Sequence, residues 1–580
     1  MAERDKAARH SEGYWSSHGS EAGLDVPNPQ VPVEPVDRQS KSASTGARLG
    51  PGTNCEQMST TCCEETPARA THLRMALFST RSAAVYGIDA HVIDVEVDMY
   101  PGRERDFITV GMPDTAVRES RERIRSALMN SGFGYPSKSV TINLGPANVR
   151  KEGAGFDLPM AVGILGAMGV VGPSAQHLFV GELSLDGTIR PIRGALSIAA
   201  CARAQGIPNL LVPAENAMEA SMPEGVSVFG MHSLSEVAGY LKFPESFTPH
   251  LPGNGSAASA ADESEPDFRD VRGQGSAKRA LEVAAAGGHN VLMVGPPGSG
   301  KTMLARRVAG ILPSLTFAEA LETTKVHSVA GLLPKNSGLL TTRPFRAPHH
   351  SVSAAGLIGG GMGTPRPGEV SLAHNGVLFL DELPEFPRNV LEQLRQPLEE
   401  GSVTIAGSQM TLRFPTDFIL ISAMNPCPCG HFSDPARECR CTGGIIQRYL
   451  GKISGPLLDR IDLHIEVPAV PYQELRGKAE GSSSAEMRAR VEEARTLQQS
   501  RGSYNAQIPV GQLRKLCALD EAGERTLEMA VRRMGLSARA HDRILKVART
   551  IADLDHSDRV TAKHLAEAVQ YRSLDRNYWQ

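Results

Sequence analysis

The stretch Asn290-Val-Leu-Met-Val294-Gly295-Pro296-Pro297-Gly298-Ser299-Gly300-Lys301-Thr302 decides the fold class. It opens as a short apolar strand and closes on the pattern G-x-x-x-x-G-K-[ST], and the residues that follow, Met303 to Ile311, read as a helix. Strand, glycine-rich turn and helix in that order are what the motif's chemistry requires. Glycines let consecutive backbone N–H groups curl around phosphate oxygens, and the helix N-terminus adds the positive end of its dipole. Lys301 is spaced to reach the β and γ phosphates of ATP, and the Thr302 hydroxyl to hold Mg2+. A glycine turn arising by chance would not be expected to carry the whole motif and both flanking elements.

Working outward, Gly376-Val-Leu-Phe-Leu380-Asp381-Glu382 is a buried strand that ends in two carboxylates. Asp381 can bind Mg2+ directly or through water, and Glu382 can position and polarise an attacking water. A third apolar run, Phe418-Ile-Leu-Ile-Ser422, leads into Ala423-Met424-Asn425. Three such strands separated by helical stretches give the rhythm of a parallel sheet, so the class is α/β. Asn425 has two readings: a turn former before Pro426, or a polar group resembling the AAA+ sensor that orients the lytic water.

The segment Gly455-Pro-Leu-Leu-Asp-Arg460-Ile-Asp462 resembles the arginine-finger segment of the chelatase and replicative-helicase branches of AAA+ proteins. A finger supplied in trans neutralises charge on the transferred phosphoryl group, so this reading implies an oligomer. The plainer reading is an ion pair of Arg460 with Asp459 or Asp462. Ser537-Ala-Arg539-Ala540 opens a helix and resembles the second sensor of the MoxR and magnesium-chelatase branch; Arg543, one turn on, competes for that role, and an ordinary exposed arginine is the bland reading. Two insertions resemble the helix-2 insert and pre-sensor hairpin of one AAA+ group. One is the stretch containing Phe345-Arg-Ala-Pro-His349-His350-Ser and Gly359 to Glu369. The other is Ser402 to Phe414, with a turn at Ala406–Gln409. In relatives such loops line a pore and touch substrate, yet this hairpin carries little charge beyond Arg413. His349-His350 could bind metal, but a loop histidine pair is more often structural or substrate-facing.

Cys427-Pro-Cys429 and Cys439-Arg-Cys441 form C-x-C pairs with nine residues between them. Four thiolates suit tetrahedral Zn2+, but C-x-C is tighter than the usual two-to-four-residue spacing, so a zinc site and a set of reduced thiols both stand. The other cysteines are Cys55, Cys62, Cys63, Cys201 and Cys517. Nine in 580 residues is too sparse for a disulfide scaffold and fits a reducing compartment.

The rest of the chain frames these motifs. Residues 1–74 are rich in Ser, Pro, Gly, Glu and Thr without periodicity and read as a disordered extension, with Met75 a plausible natural start. Residues 75–243 read as a mixed α/β domain, with a strand around Val92–Val97, helices at Thr115–Asn130 and Leu158–Met168, and a strand over Leu178–Leu185. Residues 244–267 are a Gly/Ser/Ala and acidic linker, 268–470 the nucleotide-binding core, and 471–580 a helical region. Hydrophobic residues at 41%, charged residues at 22% and a net charge of −3 suit a soluble protein and make the whole molecule no electrostatic magnet for nucleic acid. The longest apolar candidate, Leu158 to Val171, is too short and glycine-broken to span a bilayer, and no signal pattern opens the chain, so a cytoplasmic location is expected.

From about Met75 onward the chain resembles the ComM/YifB family of magnesium-chelatase-like AAA+ ATPases. The residues that carry the match include Gly111-Met-Pro-Asp-Thr-Ala-Val-Arg-Glu, Ile142-Asn-Leu-Gly-Pro-Ala-Asn, Lys151-Glu-Gly-Ala-Gly-Phe-Asp-Leu-Pro, Arg346-Ala-Pro-His-His and Ala423-Met-Asn-Pro-Cys-Pro-Cys-Gly. The resemblance implies an AAA+ parallel sheet with a C-terminal helical lid, preceded by a Lon-protease-like domain. It further implies a homo-hexameric helicase acting on single-stranded or branched DNA in natural transformation or recombination. Gly181-Glu-Leu-Ser-Leu-Asp-Gly-Thr-Ile-Arg-Pro-Ile-Arg-Gly is similar to the Lon-domain signature. Alignment nevertheless puts Gly155 where that family has its Ser nucleophile and Leu196 where it has its Lys, so proteolysis is not expected. A chelatase motor subunit and an ATP-driven protein remodeller are the competing functions.

Overall fold

A computed structural model describes residues 77–102, 106–251, 266–334, 337–361, 364–407, 410–432, 437–471, 474 and 481–575. The expected extension 1–74 with Cys55, Cys62 and Cys63, the greater part of the expected linker, and the hairpin-turn residues Ser408 and Gln409 lie outside the described residues.

The alternating pattern around Val92–Val97 extends into a strand over Asp89–Tyr100, with Ile93, Val95, Val97 and Met99 buried and Asp94 and Glu96 exposed. It pairs antiparallel with Phe78–Tyr86 on one side and Ser139–Gly145 on the other; Phe107–Val110 adds in parallel beyond. Helix Thr115–Asn130 starts where Asp114 accepts from the Val117 N–H, and it buries Val117, Ile124 and Leu128. Helix Asp157–Ala167 is buried nearly all round, as its sequence requires. A second sheet of three parallel strands is formed by His177–Phe179, Asn209–Pro213 and Ser227–Met231. The run Leu178–Leu185 is therefore not one strand. At Gly181 a Cβ would sit 2.6 Å from Ile189 Cγ2, and beyond it Glu182–Leu183 turns away to pair with Ile189–Arg190.

The nucleotide-binding core is a five-stranded parallel sheet in the order Phe345–Arg346, Val377–Leu380, Ile419–Met424, Val291–Val294, Leu463–Glu466. The first of these in the chain, Val291–Val294, thus lies between the fourth and the fifth. Alternation divides the two faces. Val291, Met293, Val377, Phe379, Ile421 and Ala423 face one cluster, while Leu292, Val294, Leu378, Leu380, Leu420 and Met424 face another. The first cluster runs without a break into the C-terminal helices through Val491, Ala494, Ile544, Ile551 and Leu565. Those helices are punctuated by local chemistry: Ser483 with Glu486 forms a capping box for Ser484–Ser500, Asp520 caps Glu521–Met534, Gly535 ends it at φ 61°, and Ser537 caps Ala538–Leu554. Among the described residues no helix is long and apolar enough to cross a membrane.

The N-terminal region docks on this core. Gly194 N–H donates to Ser328 O at 3.3 Å, Lys325 Nζ lies 3.2 Å from Asp89 Oδ1, and Thr364 donates to Glu152. The turn Tyr86–Ile88 packs against the cluster containing Ile405 and Phe414 of the hairpin Ser402–Ala406/Thr411–Pro415.

Candidate functional site

Phosphate loops form where a strand end, a turn of specific backbone and a helix start coincide. A Cβ at Gly295 would lie 2.1 Å from Val467 O, so only glycine lets the loop pass the end of the neighbouring strand. Gly298 and Gly300 have φ of 78° and 92°, and helix Lys301–Val308 begins directly after them. Lys301 is buried, and its Nζ donates to Gly295 O at 2.8 Å, Pro296 O at 2.9 Å and Asn425 Oδ1 at 3.2 Å, with Ser299 Oγ at 3.5 Å. Burial pushes its ammonium pKa down, and the Asp381 carboxylate works against that shift. Thr302 Oγ1 donates to Asp381 Oδ2 at 2.7 Å. These two hard oxygen donors, side by side beneath an N–H-lined loop, fit Mg2+ and the phosphates of ATP. Asp381, Glu382 and Asn425, widely separated in sequence from Lys301 and Thr302, are brought to one edge because their strands all end there.

Glu382 has φ 53°, a conformation sparsely populated by non-glycine residues, and its side chain is about half exposed. Its carboxylate Oε2 lies 3.4 Å from His350 Nδ1. The His349 ring is 4.0 Å from that of His350, and Phe386 meets His350 edge-on. His350 is therefore tied to Glu382, while His349 Nδ1 pairs with Ser351 Oγ at 2.9 Å. Arg346, in the same segment, grips Glu369 bidentately at 2.7 and 2.8 Å and pins the chain that carries His350. Sequence reasoning also passed over Gln274, whose Nε2 bridges Ser299 O at 3.2 Å and Pro468 O at 2.6 Å and so braces the phosphate loop from outside. An isolated polar residue between glycines gives no pattern from which to read that role.

The structure gathers Arg460 and Arg539 into a different cluster. Arg460 is 7% exposed, donates from Nη1 to Pro456 O at 2.6 Å and pairs through Nη2 with Glu399, while its buried Nε–H finds no acceptor. That pairing holds the Glu399 carboxyl below its ordinary range. Arg539, 70% exposed, lies 3.6 Å from Asp459. The competing Arg543 is instead committed to buried Asp462, which His289 also contacts at 3.2 Å. Burial alone would raise the Asp462 carboxyl, but Arg543 and His289 together hold it well below the usual carboxylate range. In the N-terminal region Gly155 O accepts from Gly181 N–H at 3.0 Å and Leu196 is buried in the first turn of Ala195–Ala204; neither supplies a nucleophile or a base. Cys427, Cys429, Cys439 and Cys441 come together with their sulfurs within 4.8 Å of one another.

The family described as magnesium chelatase, subunit ChlI, matches residues 267–475; subunit ChlI of Mg-chelatase matches 95–216; and the ChlI C-terminal family matches 481–572. The chain is 43% identical over 511 residues to the competence protein ComM of Haemophilus influenzae, covering 87% of this chain and 98% of that protein. It is likewise 43% identical over 508 residues to YifB of Salmonella typhimurium, again covering 87% of this chain and 98% of its relative. A more distant match, 27% identical over 201 residues, is to Lon protease 2 of Bacillus subtilis, covering 30% of this chain and 35% of that protein.

Proposed function

The chain belongs to the ComM/YifB family of magnesium-chelatase-like AAA+ ATPases, and on that premise we propose that it is a ring-forming, homo-hexameric motor that uses ATP to translocate on DNA and drive branch migration. The identity to ComM over 98% of that protein's length is the observation that carries the DNA reading, since the hairpin's own charge does not.

In this reading Lys301, now satisfied by the loop carbonyls and Asn425, turns to the β and γ phosphates when ATP enters. That movement releases the Asn425 side chain to orient the lytic water, and Glu382 polarises it. Thr302 and Asp381 would hold Mg2+, which when bound would offset charge on the phosphates. His350 positions Glu382 while the site waits. Arg460 and Arg539 act on the neighbouring subunit's ATP. What supports this is the resemblance of Gly455–Asp462 to the arginine-finger segment; Arg460 is here engaged by Pro456 O and Glu399 and would have to leave them to reach a neighbour. The competing function is a chelatase-type motor. Families named for the chelatase subunit match residues 95–216, 267–475 and 481–572, while the Lon-like character of the N-terminal domain argues against that role. The test is the ATP turnover rate with and without single-stranded and branched DNA, with Glu382→Gln as the blank. Strong stimulation by DNA is expected; a DNA-indifferent rate would overturn the motor-on-DNA reading and favour a protein or porphyrin-pathway partner.

A further inference from the structure

Outside the nucleotide site, the densest cluster of metal-binding side chains is the four-cysteine knuckle. Cys427 and Cys429 flank one proline and Cys439 and Cys441 one arginine, and the fold folds the second pair back on the first. Sulfur separations are 3.3 Å for Cys427–Cys429, 3.7 Å for Cys427–Cys439 and 3.7 Å for Cys429–Cys439. These are far beyond the ~2.05 Å of a disulfide bond. The two 3.7 Å separations match the edge of a four-sulfur tetrahedron around zinc, about 3.8 Å for a zinc–sulfur bond of about 2.3 Å; the 3.3 Å one is shorter, and all four sulfurs lie within 4.8 Å of one another. Four soft sulfur donors with no oxygen among them select Zn2+ over the Mg2+ of the nucleotide site.

The knuckle is joined to the phosphate loop in two ways. Cys427 follows Asn425 by two residues and is fully buried in the cluster that includes Leu292, Val294 and Met424. The turn after it is closed by Gly430 N–H donating to Cys427 O at 2.9 Å, and Gly430, at φ 82°, lies so near the loop that a Cβ there would sit 2.5 Å from Pro297 Cδ. We propose that these four cysteines form a structural zinc site that clamps Asn425 and Pro297, so that zinc occupancy sets the affinity of the phosphate loop for nucleotide. The clamp, though not the zinc site itself, rests on the ATP-site reading above.

The test uses the full chain, purified without chelator from zinc-replete cells. Elemental analysis is expected to give one zinc per chain in the wild type and in Lys301→Ala, and none in Cys439→Ser/Cys441→Ser. Cobalt substitution should give the intense thiolate-to-cobalt charge-transfer bands of a four-sulfur site. Stripping zinc from the wild type should weaken binding of a fluorescent ATP analogue by about tenfold, or about 1.4 kcal/mol, reversed on adding zinc back. Gly430→Ala should keep its zinc yet lose nucleotide affinity. Absence of zinc and cobalt binding in the wild type overturns the site. Zinc that can be removed with no change in nucleotide affinity overturns the clamp. If the wild type binds zinc but neither it nor Lys301→Ala binds the analogue, the ATP reading fails and the zinc site stands.

Discussion

Arg460 separates a trans-acting role from an ordinary ion pair, because the two carry different magnitudes. Its partner Glu399 is 57% exposed, so the pair is worth roughly 0.2–1 kcal/mol to stability. The bond to Pro456 O adds on the order of 1 kcal/mol. Arg460→Ala should then cost about 1–2 kcal/mol, a fall in melting temperature of a few degrees for a domain of this size. Loss of an arginine finger instead costs on the order of 10³-fold or more in turnover, about 4 kcal/mol on the barrier. The assay is phosphate release by saturated protein at a temperature where every variant is folded. Glu399→Ala is the control, since it breaks the same ion pair but keeps the guanidinium. The expected result is a large loss for Arg460→Ala, a small one for Glu399→Ala, and partial recovery when Arg460→Ala subunits are mixed with Lys301→Ala subunits. Equal, modest losses for the two variants with no recovery on mixing would refute the trans role and leave Arg460 a packing residue.

Glu382→Gln should bind ATP with near-normal affinity but turn it over very slowly; undiminished turnover would remove its water-positioning role. His350→Ala should lower kcat by up to about 10²-fold, the low end of what the positioned base Glu382 supplies, with KM little changed, while His350→Gln, which can still donate to Glu382, recovers part of the loss; a rise in KM with kcat intact would mean His350 serves binding instead. Arg543→Gln leaves Asp462 a buried carboxylate without its strongest partner and should cost about 3–5 kcal/mol near neutral pH. The sign with pH follows from the depressed Asp462 pKa: the unfolded chain takes up its proton near pH ~3.9, so the Asp462 contribution is full above that, begins to be lost as pH falls below it, and is gone only once pH has fallen through the lower folded-state pKa. Melting scans from pH 7 to 3 should therefore show a shallower acid decline in Arg543→Gln than in the wild type; parallel curves would count against the pairing.

Features whose determinants lie within one turn or one strand were legible in the sequence. The phosphate loop, the Asp381–Glu382 strand end, the capped helices around Thr115–Asn130 and Ser537–Leu554, and Gly535 as a helix stop all follow from local periodicity and backbone chemistry. The run Leu178–Leu185 failed because a sheet departure at Gly181 is set by packing against Ile189, a contact the run itself does not encode. The contact of Gly430 with Pro297 joins loops from different crossovers, and no spacing announces it.

The contact of His350 with Glu382 was missed for a topological reason. In a parallel sheet each strand delivers to the site the residues just past its carboxyl end: Gly295 after Val291–Val294, Asp381 and Glu382 after Val377–Leu380, Asn425 after Ile419–Met424, and the carbonyls of Val467 and Pro468 after Leu463–Glu466. His350 obeys the same rule, four residues past Phe345–Arg346. The histidine pair was read as structural or substrate-facing, and its place beside Glu382 was not foreseen because that edge strand is two residues long and neither is fully buried, so it carries no periodicity by which to recognise it. This edge of the sheet thus draws on all five strands, and the short one continues through His350, beside Glu382, into the glycine-rich insert.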